Sequence, residues 1–204
     1  LAPGGIVAEL ESALVEYPQR HADQWQQYED WGLVAFVTPG LERPTVCVHG
    51  YPLPFDEWRH SYTEGVKLWV SEHRQVPPNS WPAELKCRSR MHYYLADLEA
   101  RHAAPGARAL LLDQEGYVGE ASTANVVVYH RDQGLSTPKF TKVLPGVSVG
   151  VVAELAQELG LPFTERDIAL EELKQADEVW LSSTSVCLLP VVECNGERVG
   201  EGGP

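Results

Sequence analysis

Residues 108–130 read RALLLDQEGYVGEASTANVVVYH, and this stretch decides the fold. Its ends, 108–113 and 125–130, are aliphatic runs of strand length. Between them Gly116 and Gly119 mark turns, and Glu120 stands among small residues. Downstream, residues 147–159 predict an amphipathic helix with Val151, Val152, Leu155 and Leu159 inward and Gly160 as its stop. Residues 178–182 predict a strand, and 190–199 a hairpin turning at Asn195-Gly196. Upstream, residues 90–104 predict a helix with Met91, Tyr94, Leu95 and Leu98 on one face, and 65–71 a strand. Residues 5–17 predict a further helix, and 31–38 and 44–49 two strands separated by Pro39-Gly40. The stretch Tyr51-Pro52-Leu53-Pro54 is the candidate boundary between two lobes. The class is mixed α+β, with a strand-rich second lobe.

Composition narrows the function. The chain has 204 residues, 44 % hydrophobic and 22 % charged, which suits a packed globular protein. No apolar run approaches the ~18 residues of a membrane span, and Leu1-Ala2-Pro3-Gly4-Gly5 has neither the basic start nor the apolar run of a signal peptide. A net charge of −13 argues against nucleic-acid binding, because it repels phosphate backbones. Cys47, Cys87, Cys187 and Cys194 show no C-x-x-C spacing, so neither a disulfide framework nor a metal site is expected, and reduced thiols in a cytoplasm are. Residue 1 is not Met and the chain stops in a loop-like Glu201-Gly202-Gly203-Pro204, which reads as a fragment or as a chain with disordered ends. The phosphate-loop, H-E-x-x-H, G-x-S-x-G and G-x-G-x-x-G signatures are all absent.

Four segments carry the chemistry together. The first runs from Lys86 through Arg90 and Met91 to Glu99-Ala100. The second is Leu111-Leu112-Asp113 followed by Gly116 to Asn125. The third is Thr137-Pro138 followed by Leu144-Pro145-Gly146-Val147-Ser148. The fourth runs from Ala176 to Ser185, followed by Pro190-Val191, Asn195-Gly196 and Val199-Gly200. In order and spacing these resemble the class IV aminotransferases, a family that includes branched-chain and D-amino-acid aminotransferases and aminodeoxychorismate lyase. The resemblance runs from about residue 30 to the end and is strongest over 86–204.

The resemblance implies a two-lobe fold of the D-amino-acid aminotransferase type, with residues 1–58 as the later part of an incomplete small lobe and 59–204 as the cofactor-binding lobe. It implies pyridoxal 5'-phosphate, which needs a lysine for a Schiff base, a carboxylate at the pyridine nitrogen and a cradle for a phosphate dianion. Lys86 matches the Schiff-base lysine; otherwise it is a solvated lysine. Glu120 matches the ring-nitrogen acid; otherwise it is a surface turn acid. Val147 and Ser148 open a helix whose N-terminus suits the phosphate, and a plain Pro-Gly turn with Ser148 as a first-turn cap is compatible with that. Ser183 and Thr184 are further phosphate candidates, with Thr184 otherwise a loop threonine. Arg43 and Ser185 are weak substrate-binding candidates. Trp58, Trp69, Trp81, Tyr93 and Tyr94 line a pocket or fill the core.

This sequence also departs from the family pattern. Ala121 replaces the usual glycine after the glutamate, so the backbone there is either strained or not at positive φ. The H-x-x-R-L stretch with its phosphate arginine is absent. Met91 stands where the branched-chain branch has a tyrosine, and Arg90 resembles the lyase branch. The implied activity is amino transfer between a small amino acid and a 2-oxo acid, in a homodimer. The alternatives are lysis of aminodeoxychorismate to pyruvate and p-aminobenzoate, or a non-catalytic or truncated relative.

Overall fold

A computed structural model describes residues 3–201 and 203, and among them the chain forms two compact units that meet in sequence between Asp56 and Glu57. The first unit begins with α1 (Pro3–Arg20) and α2 (Ala22–Trp25). A hairpin follows, β1 (Trp31–Thr38) and β2 (Thr45–Pro52), paired antiparallel from Trp31↔Pro52 to Thr38↔Thr45. Gly40 makes its turn possible: φ is +65°, and a Cβ there would lie 1.8 Å from the carbonyl oxygen of Arg43. Tyr17 on α1 accepts the Gly50 N–H at 2.8 Å, and Trp25 stacks on Trp31 at 4.9 Å, so aromatic side chains hold helix and hairpin together.

After α3 (Phe55–Glu64) the second unit is built on one nine-stranded sheet. Its elements are β3 (Val66–Arg74), α4 (Met91–Ala103), β4 (Arg108–Leu112), β5 (Val118–Ala121), β6 (Asn125–His130) and β7 (Gly134–Thr137). Then come α5 (Val147–Glu158), β8 (Phe163–Glu165), α6 (Leu170–Lys174), β9 (Glu178–Ser183), β10 (Cys187–Cys194) and β11 (Glu197–Arg198). The order is β5-β4-β3-β10-β9-β6-β7-β8, with β11 beside β10. A tight turn, Ala121 to Ala124, joins β5 directly to β6, although β6 lies five places along the sheet, so the sheet curls.

Strand alternation divides the apolar residues among three clusters. Leu68, Leu110, Leu112, Val126, Val128, Leu181 and Leu189 meet in the largest. Ala109 and Leu111, on the opposite face of β4, meet Ala96 and Ala100 of α4. Val127 and Leu135 meet Val149 and Ala156 of α5. Each fully buried Leu or Val contributes ~1.5–3 kcal/mol, well above the ~0–1 kcal/mol of an exposed ion pair, so these clusters hold the fold.

Both long helices of this unit turn a different face inward from the one their apolar spacing predicts. In α4 the buried positions are Ala96 and Ala100, whereas Met91, Tyr94 and Leu95 are exposed. In α5 they are Val149 and Ala156, with Val152 half-buried, whereas Val151, Leu155 and Leu159 are exposed, Leu159 by 74 %. Small residues let a helix lie close to a sheet already filled with Leu and Val side chains, and close approach decides the face. The 190–199 hairpin turns as its sequence predicts, with Asn195 and Gly196 both at positive φ.

Candidate active site

The second unit encloses a cavity of about 680 Å³. Its walls come from the β3–α4 loop, the β5–β6 turn, the approach to α5 and the β9–β10 turn. Lys86, Glu120, Val147, Ser148, Ser183, Thr184 and Ser185 all line it. Arg43 lies in the other unit, exposed in the β1–β2 turn. Of the aromatic candidates, Trp58, Trp81 and Tyr93 line the cavity. Trp69 packs on the α4 cluster and donates its Nε1–H to Glu99 at 3.1 Å, and Tyr94 is exposed.

Glu120 is 8 % exposed and is held from several sides. Gln75 donates from Nε2 to its Oε1 at 2.8 Å, and the Tyr93 hydroxyl donates to the same oxygen. Asn125 approaches Oε2 at 3.4 Å and donates to the carbonyl of Leu144 at 2.7 Å. Burial pushes the Glu120 carboxyl above the usual carboxylate range, although the donors from Tyr93 and Gln75 pull the other way. The Tyr93 hydroxyl is raised as well, by its burial and then by the neighbouring carboxylate. A buried acid of this kind favours a cationic N–H partner. Ala121 is not among the residues at positive φ, so replacing the family glycine costs the turn no strain.

Two lysines line the cavity, in different states. Lys142 is bound by Asp113 at 2.7 Å, Glu115 at 2.6 Å and Asp167 at 2.9 Å. Burial opposes its charge, yet hydrogen bonds to these carboxylates prevail and hold the ammonium above the ordinary lysine range. Such an amine stays protonated and is a poor nucleophile. Lys86 lies on the loop before α4, is exposed, and has no carboxylate within 4.0 Å among the described residues. Of the two, it is the cavity lysine without a carboxylate partner.

On the cavity wall α5 begins at Gly146, which supplies no side-chain cap, so the helix presents first-turn amides. A Cβ on Gly146 would lie 2.1 Å from Asn125 Oδ1, so only glycine allows this loop to pass so close to the Glu120 cluster. Ser148, Ser183 and Thr184 place hydroxyls on the same cavity. The buried Ser182 Oγ and Gln75 Oε1, both on its walls, have no hydrogen-bond partner. An acid for a ring nitrogen, a free amine, open amides with hydroxyls, and unsatisfied polar atoms fit a phosphorylated pyridine aldehyde.

Gln75 and the structural part of Asn125 carry no sequence signal, since a single amide side chain is common in any loop. Tyr93 could be found only as one aromatic among several. Glu99 turns out to be structural: it accepts from Trp69, from Ser71 at 2.6 Å and from the Glu72 N–H, tying α4 to β3.

These features define a pyridoxal-phosphate type of pocket on a curled sheet, and similarity places it in a family. Residues 20–194 match the family described as amino-transferase class IV, and the chain belongs to that family. It is 34 % identical over 144 residues to the branched-chain-amino-acid aminotransferase of Escherichia coli K12, covering 68 % of this chain and 45 % of that protein. It is 32 % identical over 149 residues to branched-chain-amino-acid aminotransferase-like protein 2 of Arabidopsis thaliana, covering 72 % of this chain and 26 % of that one. Among solved structures, a T.th. branched-chain amino acid aminotransferase with pyridoxamine 5'-phosphate aligns with a TM-score of 0.79 at 26 % identity, covering 96 % of this chain and 66 % of that chain. The E. coli enzyme aligns at 0.72 and 30 % identity, covering 82 % and 56 %. The chain thus spans less than half the length of these curated relatives.

Proposed function

We propose that this chain carries the cofactor-binding part of a pyridoxal-phosphate-dependent aminotransferase acting on a small amino acid and a 2-oxo acid. The observation that carries the reading is the convergence of free Lys86, buried Glu120 and the α5 N-terminus on one cavity. When bound, the cofactor supplies an electron sink for the pair left at the substrate Cα. Lys86 would hold it covalently through Nζ and, once freed by the incoming amine, carry the proton from Cα. Glu120 would hold the proton on the pyridine nitrogen, with Gln75 and Tyr93 fixing its carboxylate in place. The Val147 and Ser148 amides would bind the phosphate through the helix dipole, with the Ser148, Ser183 and Thr184 hydroxyls beside them. Ser185, on the same cavity, would be a weaker substrate contact.

A homodimer is part of the proposal, supported by the exposed apolar residues of α4 and α5. A cytoplasmic setting agrees with four free cysteines. Among the described residues no helix is long and apolar enough to cross a membrane. A single-turnover experiment on full-length holoprotein tests the reaction class. One amino donor without acceptor should abolish the visible cofactor band within a turnover. An unchanged spectrum with a panel of L- and D-amino acids, together with pyruvate release from aminodeoxychorismate, would assign lysis instead.

A further inference from the structure

Arg90 plays no part in the reading above, yet it lines the same cavity as Lys86 and Glu120. It stands at the N-cap of α4 and makes no side-chain capping bond. Its guanidinium lies over the Tyr93 ring, 4.9 Å from the centroid, and the Tyr93 hydroxyl is already committed to Glu120. A cation–π contact of this kind does not use the guanidinium N–H donors. Among the described residues no carboxylate lies within 4.0 Å of it.

The other cavity cations differ from Arg90. Lys142 is neutralised by three carboxylates. Arg108 is lowered by its burial, and the acids acting on it are Asp97 and Glu57. Arg90 has no such partners among the described residues, and its charge is only the weakest of the influences on Glu120 and Tyr93, where burial dominates. A half-buried guanidinium with no carboxylate within 4.0 Å among the described residues suits a planar carboxylate taken by two parallel N–H donors.

We propose that Arg90 binds the carboxylate of the amino-acid and 2-oxo-acid substrates, making it the specificity-determining cation of this pocket. The inference rests on the cavity being the cofactor site, and its test separates the two ideas. Borohydride reduction and peptide mapping of full-length holoprotein come first; if Lys86 is unlabelled, the cofactor reading fails and this inference with it. With Lys86 labelled, two probes of one shape are titrated by calorimetry, 4-methylpentanoate and the neutral 4-methylpentanamide. Wild type should prefer the acid. Arg90→Gln should weaken the acid roughly 10- to 100-fold, the loss expected for a charge-assisted bidentate pair, and leave the amide within about twofold. Arg90→Lys should retain part of the preference. Cofactor affinity, read from the visible band, should stay near wild type in both variants. Equal weakening of acid and amide, an unchanged acid, a wild type that does not prefer the acid, or a loss confined to cofactor affinity would each overturn the assignment.

Discussion

Glu120 shows how much one residue's surroundings decide. Its folded pKa is raised by burial, so the ionised form is the costly one in the cofactor-free protein. The protonated form is preferred when folded, and the penalty therefore grows as pH rises from the ordinary carboxylate range toward the folded pKa. Cofactor-free Glu120→Gln should melt above wild type at pH 8, and the gap should shrink toward pH 4. A gap that widens on acidification would show that the carboxylate is stabilising as an anion without a ligand. In the full-length enzyme the same substitution should keep cofactor bound and lower turnover by about 10²-fold, the scale of a lost active-site charge. Near-normal turnover would return Glu120 to the role of a turn acid. Glu99 has the opposite sign. Burial opposes its charge, but hydrogen bonds from Ser71 and Trp69 prevail and hold it below the ordinary range. Its stabilisation is present above that range and fades as pH falls through the folded value. Glu99→Gln should lower the melting temperature at pH 7 and have little effect near pH 3, and a difference independent of pH would contradict this.

At the scale of elements, α5 separates what spacing can and cannot reveal. Residues 147–159 announce a helix, and Gly160 at φ +68° ends it. The inward face could not be read, because valine and leucine occupy two stripes of this helix and packing selects the one holding Ala156. Ala156→Leu should therefore cost ~1–3 kcal/mol by overpacking. Leu155→Ala, at a half-exposed position, should cost under ~1 kcal/mol in the monomer; denaturant midpoints that reverse this order would refute the assignment. The strands 108–112, 125–130 and 178–183 and the Asn195-Gly196 turn were legible because their apolar runs and turn residues act locally. β5 and β7 were not, since each is four residues long and takes its conformation from its neighbours in the sheet. The cavity candidates on the second unit were legible as motif positions, whereas the clamp from Gln75 and Tyr93 depends on residues 45 and 27 positions from Glu120 and has no local pattern.

For the whole molecule, the class IV match over residues 20–194 takes in the hairpin of the first unit as well as the curled sheet of the second, and the alignment with a TM-score of 0.79 covers 96 % of the chain. The proposed homodimer predicts twice the chain mass in light scattering of full-length protein at micromolar concentration, and a monomer would contradict it. The central claim is that Lys86 is the cofactor lysine, because Lys142, the other lysine on the cavity, is held by three carboxylates. The most direct measurement is borohydride reduction of full-length holoprotein, followed by proteolysis and mass mapping of the modified lysine. The account predicts the phosphopyridoxyl mass on the peptide containing Lys86 and its loss in Lys86→Ala. The same mass on Lys142, Lys139 or Lys67 would contradict it.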